Sequence, residues 1–244
     1  MQTGETRADV ARLFGVGAHF AQAKSRRHPS MKPYLVGSRG RQEIVDLAKT
    51  NEQLAGARAA LATLAREGKV VLFVGGKTEV AAEVATTAKR LGAPYVAGRW
   101  LGGTISNWPE IKKRVDRLAT LTEEHASGAA ARVHTKLELV LRQREEKRLA
   151  LRLGGVVGLT KRPDALVVVD TKREHHAVKE AHDAGIPIIA LMSSDCDLKD
   201  ATYPIVGNDA SRETVKLILN ELADAFEEGR PGRGPDGSAQ DRAV

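Results

Sequence analysis

Aromatic side chains are scarce in this chain of 244 residues: two Trp, three Tyr and four Phe, 4% of the total. Binders of unstructured single strands stack successive bases on aromatic faces. The scarcity argues against that mode and leaves recognition by shape and phosphate open. Cysteine is rarer still: the lone Cys196 can close no internal disulfide and build no cysteine-cluster metal site, which fits a reducing compartment. No apolar run approaches the roughly 20 residues that span a bilayer, which excludes membrane insertion. The stretch MQTGETRADVARLF lacks an apolar secretory core, and Glu5 and Asp9 deny it the acid-poor character of a transit peptide, so the expected location is the cytoplasm.

What the chain does have is positive charge. Lys and Arg number 38 against 31 Asp and Glu, a net +7 with a pI near 9.6, which suits a polyanionic partner. Between Lys24 and Arg41 stand six cations, Lys24, Arg26, Arg27, Lys32, Arg39 and Arg41, with no acid among them. Such a run reads either as a solvated surface or as an RNA contact.

Four apolar runs, VVLFV (70–74), YVA (95–97), ALVVVD (165–170) and PIIALM (187–192), alternate with helical patterns. YPIV (203–206) precedes a last helix from about Asp209 to Glu228. Continuous apolar strands alternating with helices imply a parallel sheet covered on both faces, a doubly wound α/β fold. Before it, residues 15–41 have no helical period, YLV (34–36) and EIVDL (43–47) read as a hairpin, and a helix starts at Thr50 with Thr50 and Gln53 in capping-box spacing, ending at Gly68. Residues 107–153 interrupt the alternation with two charged helical runs joined by HASGAAA. Ile111, Val115, Leu118 and Leu121 on the first, and Leu137, Val140, Leu141 and Leu151 on the second, are expected to pair the two as a hairpin. The expected units are an arm and hairpin (1–49), a core (50–106 and 154–228), a protruding helical hairpin (107–153) and a disordered tail (229–244).

VVLFVGGKTEVAAEV (70–84) raises a question of chemistry. Gly76, Lys77 and Thr78 match the end of a phosphate-binding loop, but its first glycine would fall at Val71, inside a strand. Two residues between strand and lysine cannot enclose a triphosphate, so the stretch reads as a tight strand-to-helix turn in which Lys77 is dispensable. Asp170, Thr171 and Lys172 face it across the expected switch point, where doubly wound enzymes bind ligands, but no nucleophile with an adjacent base accompanies them. His175 and His182 share a helical face two turns, about 10 Å, apart, too far for one zinc, so a solvated face is expected. Asp195 and Asp197 could hold a hydrated Mg²⁺ ion, though a turn role is the commoner one. Trp100 reads as a half-buried anchor for the hairpin's root, and Arg99 as either a structural ion pair or an RNA phosphate contact.

GAHFAQAKSRRHPSMKPYLVGSRGRQEIVDLAKT (17–50), LFVGGK (72–77), APYVAGRWLGGTISNW (93–108), RPDALVVVD (162–170), AGIPIIAL (184–191) and YPIVGND (203–209) occur in the order seen in one family. The chain resembles the bacterial small-subunit ribosomal protein S-two family from about residue 8 to 229. The resemblance implies a flavodoxin-like fold with an inserted two-helix, coiled-coil hairpin and an architectural rather than enzymatic role. It also implies binding to folded ribosomal RNA, with neither DNA nor a cofactor, and association with neighbouring proteins including protein S-one. On it, Lys24, Arg26, Arg27, Lys32, Arg39, Arg41 and Arg99 become the expected RNA-binding residues. The chain departs from the family's usual pattern at Ala21 and Gln22, and has Arg27, His28, Pro29 and Ser30 where the family usually has Trp-Asn-Pro-Lys, so contacts of the family's tryptophan there do not carry over. It departs again at Gly76, which stands where the family usually has threonine and creates the likeness to a phosphate loop.

Overall fold

A computed structural model describes residues 2–127 and 134–231. Its centre is a parallel sheet of five strands: β4 (Val71–Val74), β5 (Tyr95–Val96), β6 (Ala165–Val169), β7 (Ile188–Met192) and β8 (Tyr203–Val206), in the spatial order β5-β4-β6-β7-β8. That is the flavodoxin-like order, with the reversal of direction between β4 and β6.

The strands are apolar throughout because each buries both faces. Val71, Phe73, Val167, Ile189, Leu191 and Ile205 join one core cluster, while Leu72, Val74, Leu166, Val168, Ile188 and Val206 join the other. The first face is covered by α2 (Leu47–Arg66), α3 (Ala81–Leu91) and α7 (Arg212–Gly229). Helices α2 and α7 meet closely enough that a Cβ on Gly229 would lie 2.3 Å from the Ala62 carbonyl oxygen. The second face is covered by α4 (Trp108–Ala126), the end of α5 (Lys136–Leu153) and α6 (His175–Asp183).

The N-terminal region is more ordered than its sequence pattern implies. A helix α1 (Gln2–Gly15) sinks Leu13 into the first cluster and pairs Arg12 with Glu221. The expected hairpin is β2 (Leu35–Arg39) with β3 (Gln42–Val45), but β1 (Phe20–Ala23) adds a third antiparallel strand on the other edge of β3. Helix α2 starts three residues before Thr50. Its cap is Asp46, whose carboxylate accepts from Ala48 N at 3.1 Å. Thr50 and Gln53 instead serve the end of β8: the Thr50 hydroxyl donates to Val206 O at 2.6 Å, and Gln53 Oε1 accepts from Val206 N at 2.9 Å.

Helices α4 and α5 pack on each other, α4 through its expected stripe and α5 through a different one. Ile111, Val115, Leu118 and Leu121 of α4 are buried. On α5, Leu137, Val140, Leu141 and Leu151 point outward, at 69%, 44%, 53% and 85% exposure. Leu149 and Leu153 of α5 instead join the apolar cluster of Ile111, Val115 and Leu118, and charge completes the contact: Arg117 pairs with Glu145 at 3.1 Å, Arg142 with Glu124 at 2.5 Å and His125 with Glu146 at 3.0 Å. The link at 128–133 and the tail from 232 lie outside the described residues.

Candidate nucleic-acid interface

The loops at the sheet's carboxyl ends form two layers, a buried charge cluster and an exposed basic rim. In the cluster, Lys77 Nζ stands 2.7 Å from Asp170 Oδ2 and 3.1 Å from Asp209 Oδ1. Asp209 is 1% exposed, and neither of its oxygens accepts an aligned hydrogen bond, so Lys77 holds it by charge alone. Asp170 adopts the left-handed backbone region, φ 67°, which turns its carboxylate back to accept from Arg173 N at 3.0 Å. Burial, reinforced by Asp170, outweighs the attraction of Lys77 and pushes the Asp209 carboxyl up to about 6. Burial alone would lower the Lys77 ammonium, but Asp209 and Asp170 together hold it above its ordinary value. Cys196, 3.8 Å from Asp170 Oδ1, is an inert buried thiol pushed up to about 12 by burial.

This settles the turn after β4. Gly75 N donates to Val96 O and Gly76 N to Glu174 Oε1, both at 3.0 Å, so the glycine donors are spent within the protein. A Cβ on Gly76 would lie 2.5 Å from Gly98 O, so the loop is packed shut rather than open to a phosphate. The tight-turn reading holds, but Lys77 is not dispensable: it is the counter-charge of two buried acids.

Asp195 and Asp197 do not converge on an ion. Asp195 accepts from Lys172 Nζ at 3.0 Å, and Asp197 accepts from Lys199 N at 3.1 Å in its own turn. The carboxylates and thiol that do converge are Asp170, Asp209 and Cys196, within 4.8 Å of one another, and the Lys77 ammonium reaches both acids. His175 and His176 are exposed, their rings 4.0 Å apart and tilted by 40°, while His182 Nε2 lies 3.2 Å from Asp200 O.

Trp100, 6% exposed, anchors the loop at the root of α4 through Glu180. That carboxylate accepts from Trp100 Nε1 at 3.0 Å, Gly103 N at 2.8 Å, Ile105 N at 3.0 Å, and Ser106 N and Oγ at 3.1 Å. Burial would raise Glu180, but these donors outweigh it and hold the carboxyl below its ordinary range. Sequence reasoning missed Glu180 and the burial of Asp209, because their partners lie far away in the chain. Arg99 is exposed and makes no ion pair among the described residues; with Arg173, His176 and Glu174 it lines a crevice of about 500 Å³.

The arm lies across the ends of β7 and β8. Gln22 N donates to Ser194 Oγ at 3.2 Å, His28 N to Ser194 O at 2.8 Å, and Leu198 N to Ser30 Oγ at 3.1 Å. Met31, with no exposed surface, plugs the join. Of the six cations, Lys24, Arg26, Lys32, Arg39 and Arg41 are exposed and make no ion pair among the described residues. Arg27 differs: it is tied to Glu43 at 2.9 Å, and Glu43 is 3% exposed.

A family profile described as Ribosomal protein S2 matches residues 13–229. The chain is 41% identical over 226 residues to the small ribosomal subunit protein uS2 of Synechococcus elongatus, covering 93% of this chain and 90% of the relative. It is 40% identical over 224 residues to the small ribosomal subunit protein uS2c of Rhodomonas salina, covering 92% of each.

Proposed function

The chain belongs to the ribosomal protein S2 family, and from that premise we propose that its arm seats it on phosphates of folded small-subunit ribosomal RNA. It is a structural component of the small ribosomal subunit, binding ribosomal RNA and other subunit proteins, and not an enzyme. The finer reading places Lys24, Arg26, Lys32, Arg39 and Arg41 on RNA phosphates, with Arg99 extending the contact around the crevice beside α6. The observation that carries it is the division within the arm: one cation, Arg27, is spent on a buried acid, while five stand exposed with no ion pair among the described residues, Arg39 on β2 and the other four on the turns that join the strands of the small sheet. Unpaired cations on rigid backbone lose little entropy on meeting phosphate and gain from counterion release.

The same reading extends to protein S-one as a neighbour, to a cytoplasmic ribosome as the setting, and to function without a cofactor. It also takes residues 1–49, the core at 50–106 and 154–228, and the helical pair at 107–153 as units with separate tasks. No helix among the described residues is long and apolar enough to cross a membrane. The test is sedimentation of lysate through a sucrose gradient. The chain is expected with small subunits at low salt, and alanine at Arg26, Lys32 and Arg41 together should move it toward the top at moderate salt. Migration apart from small subunits at every salt concentration would overturn the assignment.

A further inference from the structure

Phe14 is the most exposed aromatic ring among the described residues, at 61%, in a chain that is only 4% aromatic. A single exposed ring is ordinary on a protein surface, but this one belongs to a stack. Its ring lies nearly parallel to that of His19, centroids 4.3 Å apart and planes at 12°, and His19 in turn meets Phe20 at 4.1 Å, tilted by 39°. The backbone beneath the rings is fixed. Thr214 Oγ1 donates to Val16 O at 2.9 Å, Asn208 Nδ2 to Gly17 O at 3.1 Å and Asn208 N to Ala18 O at 3.1 Å, so the turn between α1 and β1 is tied to the core. Leu13, 2% exposed, fills the core side of the same helical turn and leaves Phe14 on the outside.

The charge beside the stack says what covers it. Phe20 and Gly37 both stand opposite Ile44, and Arg39 stands opposite Gln42. Side chains alternate along a strand, so Phe20 and Arg39 share one face of the small sheet, the face away from buried Ala21, Glu43 and Val45. Arg39 is exposed with no ion pair among the described residues. Burial, helped by the nearby Arg39 charge, holds His19 below its ordinary range, so at pH 7 it stacks as a neutral ring. A second copy of the chain would bring like charge against Arg39. A nucleotide carries both complements on one covalent unit, a π-face for the ring and an anionic phosphate for the guanidinium, and one unpaired base needs no run of aromatics to hold it. We infer that Phe14 stacks on a single unpaired base of the ribosomal RNA, in a bulge or loop whose phosphate lies on Arg39. This rests on the arm's seating on RNA phosphates and adds to it a contact made to a base.

The two contacts separate in a salt series. Affinity of the full-length chain for small-subunit ribosomal RNA is measured against salt, with thermal unfolding as control. Phe14→Ala is expected to weaken binding about 5- to 150-fold at every salt concentration and to leave the slope unchanged, because stacking displaces no counterions. Phe14→Trp should bind at least as tightly as the parent, whereas Phe14→Leu, which keeps an apolar side chain without a π-face, should bind about as weakly as Phe14→Ala. In small subunits carrying p-azidophenylalanine in place of Phe14, irradiation should join the side chain to one unpaired nucleotide, identified by mass spectrometry. Unchanged affinity in Phe14→Ala, parental affinity in Phe14→Leu, an adduct with a protein segment, or no adduct would overturn the inference while leaving the chain in the subunit. A slope indifferent to alanine at Arg26, Lys32 and Arg41 together would strike the phosphate reading, and this inference with it.

Discussion

Lys77 Nζ lies 3.1 Å from Asp209 Oδ1, and that acid is 1% exposed with no aligned hydrogen bond to either oxygen. The lysine that looks in sequence like the arm of a phosphate loop is instead the internal counter-ion of the switch point. Where a doubly wound enzyme would open a crevice for its ligand, this fold has closed one around its own charges.

Lys77→Ala should therefore destabilise the protein. Removing one partner of a buried pair leaves an uncompensated charge and costs about 3 kcal/mol or more. Urea unfolding at pH 7 measures it, and a loss below about 1 kcal/mol would mean that solvent already screens the pair. ATP hydrolysis should be at background in both proteins.

Asp209 also predicts a pH dependence. Its carboxyl, raised to about 6 in the folded protein, binds a proton there more tightly than in the unfolded chain. Between about pH 4 and 6 the folded state thus holds the extra proton, and the contribution of this group to stability falls as pH rises through that window, by at most roughly 3 kcal/mol. Asp209→Asn should remove that slope. Identical pH profiles for the two proteins across the window would exclude Asp209 as its source.

In the arm, Arg27 should separate from the other cations. Alanine at Arg26, Lys32 and Arg41 together should flatten the slope of log affinity for small-subunit RNA against log salt by about 2 to 3, with little change in thermal unfolding. Arg27→Ala should instead lower stability by about 1–3 kcal/mol by stranding Glu43, and leave the slope nearly intact. A stability loss from the triple variant as large as that from Arg27→Ala would refute this division.

Glu180→Ala should loosen the loop 99–106, because it strips one acceptor from Trp100, Gly103, Ile105 and Ser106 at once. A loss of about 2–4 kcal/mol is expected, with tryptophan emission shifting to the red as Trp100 gains water. Since the folded carboxyl is held below its ordinary range, its stabilisation is present above that range and lost as pH falls through the depressed value. Unchanged emission and stability would show that Trp100 is fixed by packing alone.

The sequence by itself determined the architecture. Continuous apolar runs of a few residues, rich in β-branched side chains and bounded by turns, read as strands buried on both faces, and their alternation with helices implies parallel connections, so β4 to β8 were legible within one or two residues. The family resemblance carried the function. The arm's positive charge was legible too, because it needs only composition over a short stretch.

Tertiary structure decided which charges are free. Arg27 and Arg26 are neighbours in sequence, yet only one meets Glu43; Lys77 finds Asp170 and Asp209 from loops far along the chain; Glu180 gathers a loop that no local spacing links to it. On α5 the apolar period was read correctly and its direction was not. A helix's period shows which residues share a face, but what that face meets is set by the neighbours the fold supplies. Here Leu149 and Leu153 took the inner side with charged pairs to α4, and Leu137, Val140, Leu141 and Leu151 were left facing out.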